Sequence, residues 1–68
     1  MGERLLNTLK FERDRLGLTQ AGLAEAIGVS RKTINTVENG IFLPSTLLAL
    51  KLARALERPV EALFQLDD

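Results

Sequence analysis

Thr19-Gln20-Ala21-Gly22-Leu23-Ala24-Glu25-Ala26-Ile27-Gly28-Val29-Ser30-Arg31-Lys32-Thr33-Ile34-Asn35-Thr36-Val37-Glu38-Asn39-Gly40 reads as two short helices around a tight turn. Thr19 offers an oxygen to a first-turn amide, and Leu23, Ala24 and Ile27 follow at i, i+1 and i+4, the stripe of a helix that buries one face. Gly28 closes that helix, because a left-handed residue at a helix C-terminus costs glycine no Cβ clash. Ser30 is a second capping residue, so a new helix starts at Arg31 a few residues after the previous one ended, and it runs to Asn39 and Gly40.

At about 100° per residue, Ile34 and Val37 of this later helix turn toward the core. Lys32, Asn35, Thr36 and Asn39 fall on the opposite side, with Arg31 at its edge and Thr33 on its flank. Any solvated helix can carry amide, hydroxyl and cationic tips, but Arg31 and Lys32 stand in the first turn, where cations oppose the helix dipole and acids would stabilise it. A placement that works against helix stability points to a duty elsewhere. Side chains of this kind match the donor and acceptor patterns that base pairs show in a major groove about 12 Å wide.

Outward from this pair, Leu6, Leu9 and Leu16 share one face of a first helix over about Leu6 to Leu16, which Gly17 ends. Ile41, Phe42 and Leu43 lead into Pro44, which disfavours helix in the residue before it, so a loop is required; its apolar run is expected to pack rather than stay wet. Ser45 caps a fourth helix with Leu48, Leu52, Ala53 and Leu56 on its stripe, and Pro59 opens a short fifth through Ala62, Leu63 and Phe64. The tail from Gln65 to Asp68 can pair with Arg4 to Leu6 as a small two-stranded ladder. The fold class is all-α: one domain over residues 1–68, the two-helix motif at about 19–39, and helices four and five at about 45–64.

Arg13 lies on the apolar side of the first helix, between Leu9 and Leu16, where an unpaired charge is expensive. Glu38 falls beside Ile34 on the core side of the third helix. Arg13 and Glu38 are therefore expected to form a partly buried ion pair that fixes the first helix against the third.

The chain has 68 residues, so its core is small, and with no Cys and no His it has neither disulfide nor zinc to staple it. Helix packing aided by a homodimer is the expected source of stability. Nine Lys and Arg balance nine Asp and Glu, a net charge of zero that argues against a nonspecific nucleic-acid coat but not against a reader with a few placed contacts. No signal-like or membrane-length apolar run occurs, so a cytoplasmic location is expected, with no membrane partner. Without His, Cys or Tyr, a glycine-rich phosphate loop or a metal-ligand cluster, no catalytic site, cofactor or metal is expected.

Thr19, Gln20, Leu23, Ala24, Gly28, Val29, Ser30, Ile34, Glu38, Asn39 and Gly40 together resemble the helix-turn-helix of the XRE family, the Cro and phage-repressor type. Pro44-Ser45 and the Pro59-Val60 to Leu63-Phe64 ending extend the resemblance over nearly the whole chain. The resemblance implies a five-helix repressor-like domain that binds a double-stranded DNA operator as a dimer and regulates transcription, with repression as the expected sign. By position it implies that Arg31, Lys32, Thr33, Asn35 and Thr36 face bases, that Gln20, Ser30 and Asn39 bond phosphates, and that Gln20 buttresses the reading helix. Gly22 stands where relatives commonly carry an acidic residue; this removes a capping box with Thr19 and leads to the expectation of a loose helix start.

The fourth helix is apolar almost all round, with Leu47 and Leu50 outside its stripe, as befits a helix covered on more than one side. A two-fold dimer is expected from residues among Leu47, Leu50, Leu56, Val60, Leu63 and Leu66, with smaller contributions from Phe11 and the Ile41 to Leu43 loop. The alternative function is a protein-interaction module of the same fold, such as an antitoxin-like partner binder, which zero net charge favours slightly.

Overall fold

A computed structural model describes residues 4–67. The remaining residues of the expected domain, including Asp68 of the pairing tail, lie outside the described residues. The order is β1 (Leu5–Asn7), α1 (Leu9–Arg15), α2 (Gln20–Ile27), α3 (Arg31–Glu38), α4 (Thr46–Leu56), α5 (Val60–Leu63) and β2 (Phe64–Leu66). One cluster of buried apolar side chains joins the helices: Leu9 of α1, Leu23 and Ala24 of α2, Ile34 and Val37 of α3, Leu48, Leu52 and Leu56 of α4, and Leu63 of α5.

Local chemistry sets the helix ends. The Thr19, Ser30 and Ser45 side chains accept from the Gly22, Thr33 and Leu48 amides at 2.9, 3.1 and 3.1 Å, each satisfying an amide that has no partner within its helix. The start of α2 is thus capped despite Gly22, which corrects the expected loose start: the Thr19 oxygen suffices without an acidic partner. At the far end of α2, the Val29 amide reaches back to the Ala24 carbonyl and the Gly28 amide to that of Glu25. This paired closure places Gly28 at φ +76° and turns the chain toward Ser30.

Two boundaries differ from the sequence reading. Leu6 belongs to β1, not to the first helix, and stands exposed. The cause lies at Asn7 and Thr8: the Asn7 Oδ1 accepts from the Leu9 amide, so helix begins only at Leu9. The Thr8 amide and hydroxyl meanwhile donate to the Leu63 and Ala62 carbonyls and draw the preceding residues against the C-terminal strand. Phe64, placed in the fifth helix by its spacing, instead turns extended (φ −130°, ψ 132°) and pairs with Asn7. The ladder is antiparallel, Leu5 opposite Leu66 and Leu6 opposite Gln65, and the Asp67 amide donates to the Arg4 carbonyl at 3.0 Å, so the expected pairing of Arg4 to Leu6 with the tail is present and extends inward to Asn7 and Phe64.

The 41–43 loop also corrects an expectation. Ile41, Phe42 and Leu43 are 77, 51 and 68% exposed rather than packed. Their direction follows from the end of α3, where the Ile41 and Phe42 amides both donate to the Thr36 carbonyl. That closure carries the loop outward from a core already filled by Ile34, Val37 and Leu48.

Candidate nucleic-acid interface

The outer face of α3 is built from its anchors upward. Ile34 and Val37 are 0 and 2% exposed, which fixes the helix's rotation and turns Arg31, Lys32, Asn35 and Asn39 to solvent. Its C-terminal end is held by Asn7, whose Nδ2 donates to the Val37 and Glu38 carbonyls at 3.1 and 3.3 Å. The same Asn7 begins α1, so one side chain ties the start of one helix to the end of another. Sequence reasoning missed this role; the only local signal was an Asn-Thr pair ahead of an apolar stripe.

Beneath the face lies an ion pair. The Arg13 Nε donates to the Glu38 Oε2 at 2.8 Å and its Nη2 to Oε1 at 3.2 Å, while Nη1 donates to the Leu18 carbonyl at 2.8 Å. The two side chains are only 10 and 6% exposed. The fork geometry satisfies a guanidinium that would otherwise be stranded near the core. The hydrogen bond that Arg13 donates to Glu38 raises the Arg13 pKa above its ordinary value, and burial opposes this to a lesser degree. The Glu38 charge is thereby spent inside, and α3 offers its outer side the cations alone.

Arg31 and Lys32 are exposed, and among the described residues neither has a carboxylate within ion-pair distance. Asn35 and Asn39 are exposed one turn apart, with the Asn39 Nδ2 donating to the Asn35 Oδ1 at 3.3 Å. The Asn35 Nδ2 in turn donates to the Gln20 Oε1 at 3.4 Å, which brings the first residue of α2 against the middle of α3. Gln20 is half-buried, and its Nε2 donates to the Glu38 Oε1 at 3.1 Å. These contacts were not expected beyond a general buttressing role for Gln20.

The hydroxyls are less free. The Thr36 Oγ1 lies 3.0 Å from both the Lys32 and Thr33 carbonyls, so its proton points back along the helix and its lone pairs remain outward. Thr33 is half-buried, its Oγ1 2.9 Å from the Ser30 Oγ, which also caps the helix. Thr33, Thr36 and Gln20 are thus expected contact residues partly occupied within the protein.

The expected dimer residues divide in two. Leu47, Leu50 and Leu66 are 64, 56 and 69% exposed, and Val60 is half-buried. Leu56 and Leu63 are 0% exposed and correct the expectation: they belong to the protomer's own core, packed with Leu9 and Leu52, and have no surface to give a partner. The stripe of α4 and the single buried turn of α5 use these two leucines first. Leu47 and Leu50 instead border an open, largely apolar groove with Leu18, Ala26, Ile27 and Ala55 between α2 and α4, which Lys51 and Arg54 also line.

This geometry agrees with comparisons to known proteins. The helix-turn-helix family pattern matches residues 9–63, from the first residue of α1 to the last of α5. The chain belongs to the XRE-type helix-turn-helix family. It is 40% identical over 62 residues to the uncharacterized HTH-type transcriptional regulator YgzD of Bacillus subtilis, covering 91% of this chain and 94% of that one. An uncharacterized HTH-type transcriptional regulator of Methanothermobacter thermautotrophicus is 48% identical over 61 residues, 88% of each chain. Among solved structures, the restriction-modification controller protein C.AhdI from Aeromonas hydrophila superposes with a TM-score of 0.74 at 35% identity, over 79% of this chain and 78% of that one. DNA-binding transcriptional regulation is the function class of this helix-turn-helix family. Among the described residues, no helix is long and apolar enough to cross a membrane.

Proposed function

We propose that this helix-turn-helix chain is a sequence-specific repressor that binds double-stranded DNA as a homodimer in the cytoplasm, each protomer laying α3 in the major groove of one half of an inverted repeat. The observation that carries the reading is the outer face of α3, where Arg31 and Lys32 stand exposed and unpaired among the described residues over a helix pinned by Ile34 and Val37. In this reading Arg31, Lys32, Asn35 and Thr36 meet base edges, with Thr33 on the flank, while Gln20, Ser30 and Asn39 hold phosphates. Repression is the direct outcome of occupying an operator. No catalysis, cofactor or metal enters the scheme.

The dimer places Leu47 and Leu50 against a second copy, with Leu66 and Val60 as further contacts. Two reading helices held about 34 Å apart would meet half-sites one helical turn apart. Selection of bound sites from a random duplex pool tests binding, half-site symmetry and base preference together. An enriched inverted repeat is the expected result, and recovery of the unselected pool would sink the reading.

A second reading is supported by the exposed Ile41, Phe42 and Leu43 and by zero net charge: an antitoxin-like protein-interaction module with the same fold that binds a partner protein, such as a toxin, through the polar face of α3 or its apolar loop. Salt separates the two. A chain that neutralises several phosphates loses affinity steeply as salt rises, whereas an apolar contact does not.

A further inference from the structure

The four polar side chains that join the ion pair to the surface of α3 form a relay with one possible direction. Glu38 is a carboxylate paired to Arg13, so it only accepts. Gln20, 3.1 Å from the Glu38 Oε1, must therefore turn its Nε2 inward, which leaves its Oε1 facing Asn35. Facing an acceptor, Asn35 must present its Nδ2 to Gln20, and its Oδ1 is left to accept from Asn39 at 3.3 Å. An exposed asparagine amide ordinarily has two near-equivalent orientations. Here the buried carboxylate decides between them across two intervening contacts.

From this chain of contacts we infer that Glu38 is a specificity-positioning residue: acting through Gln20, it fixes which end of the Asn35 amide donates and which accepts at the DNA surface. Orientation is what an amide uses to tell one base from another, since it must donate to one base atom and accept from its neighbour at the same time. In the fixed orientation one Nδ2 proton and one Oδ1 lone pair of Asn35 remain outward beyond those used on Gln20 and Asn39. The inference rests on the DNA-reading function proposed above and adds to it a determinant that touches no DNA.

The test uses the full chain with duplexes carrying each base in turn at the position whose preference Asn35→Ala abolishes. Glu38→Gln keeps an oxygen for Arg13 but can also donate, so Gln20 and then Asn35 can reverse. Discrimination at that base is expected to fall roughly tenfold, while preferences elsewhere in the site stay put. Adding Gln20→Glu to Glu38→Gln restores an acceptor opposite Asn35. Discrimination should then recover, although a carboxylate near phosphate lowers affinity for every duplex. Should Glu38→Gln fail to fold, Gln20→Leu breaks the relay and leaves the ion pair intact, and it should lose the same base discrimination.

A readout without DNA runs beside these. In nitrogen-15 spectra of the free protein, Glu38→Gln should move the side-chain amide signals of both Gln20 and Asn35. Movement of Gln20 alone would overturn the proposal, as would unchanged discrimination in Glu38→Gln or in Gln20→Leu. A loss that the double variant does not recover marks a merely structural glutamate and overturns it too. If the unsubstituted protein shows no base preference at all, the DNA-reading function falls first and this proposal with it.

Discussion

Glu57 is the residue at which sequence and backbone disagree most. It closes α4 in the left-handed region at φ 59°, while the equivalent closures after α1, α2 and α3 each use a glycine, Gly17, Gly28 and Gly40. The hydrogen bonds are the same in kind: the Arg58 amide donates to the Ala53 carbonyl and the Glu57 amide to that of Arg54. No left-handed preference in Glu57 itself supports this turn, so packing and the paired closure impose it. Glu57→Gly should stabilise the fold by about 0.5 to 1 kcal/mol, part of the relief being offset by the greater freedom of glycine in the unfolded chain. A higher urea midpoint at unchanged slope is the expected signature. The buried pair predicts the opposite kind of result. Removing either Arg13 or Glu38 alone strands a charge and should cost about 3 to 5 kcal/mol, whereas replacing both with apolar residues should cost less than the sum. Additive effects in a double-mutant denaturation cycle would contradict the coupling. This contact was legible in the sequence, because a lone arginine on an apolar stripe needs a partner and the helical wheel offered one. The unusual Glu57 was not, because nothing in its side chain announces its backbone.

At the scale of elements, what could be read was what is local. Thr19, Ser30 and Ser45 mark three helix starts and the glycines mark three stops, each through hydrogen bonds or dihedrals within a few residues. The first element was misplaced because Leu6 and Leu9 lie three apart, a spacing that suits a helix, while the forces that make Leu5–Asn7 a strand come from Leu63, Phe64 and Leu66 at the other end of the chain. Helix periodicity carries no information about such a partner. The same limit applies at the outer face of α3: the direction of each side chain followed from Ile34 and Val37, but the contacts of Gln20 with Glu38 and Asn35 depend on how α2 meets α3. A capping prediction isolates the local part. Ser45→Ala removes the oxygen that accepts from the Leu48 amide at the start of α4, outside the α2–α3 motif, and should cost about 1 kcal/mol in thermal or urea unfolding. DNA affinity measured well below the melting temperature should not change. A matching loss of affinity would mean that α4 does more than support the motif.

At the scale of the whole molecule, two features bind distant parts. Glu12 of α1 accepts from the Arg15 Nε at 2.6 Å and lies 3.3 Å from the Arg58 Nε, while the Arg15 Nη2 donates to the Leu56 carbonyl at 2.7 Å, so α1 is fastened to the end of α4. The Arg15 hydrogen bond is the largest influence holding the Glu12 pKa below its ordinary value; burial opposes it, and attraction to Arg58 adds to it. A depressed carboxyl pKa adds stability that is present above the unfolded value, about 4.3 for glutamate, and is lost as pH falls through the folded value. Stability should therefore decline on acidification below that point, and Glu12→Gln should flatten this part of the curve of unfolding free energy against pH. The second feature is the exposed pair Leu47 and Leu50, one turn apart on α4 at the apolar groove with Ile27 and Ala55. A chain of 68 residues with no Cys to form a disulfide has little core to spare, and leucines more than half exposed are the surface that the second copy in the proposed dimer would cover. Leu50→Lys places a charge in that seam without touching the core leucines of the same helix. It should leave helix content and melting of the monomer intact, convert a dimeric mass to a monomeric one in light scattering at micromolar concentration, and weaken binding to a two-half-site operator far more than to a single half-site. A monomeric mass for the unsubstituted protein under those conditions would remove the dimer, and with it the reason to expect an inverted repeat.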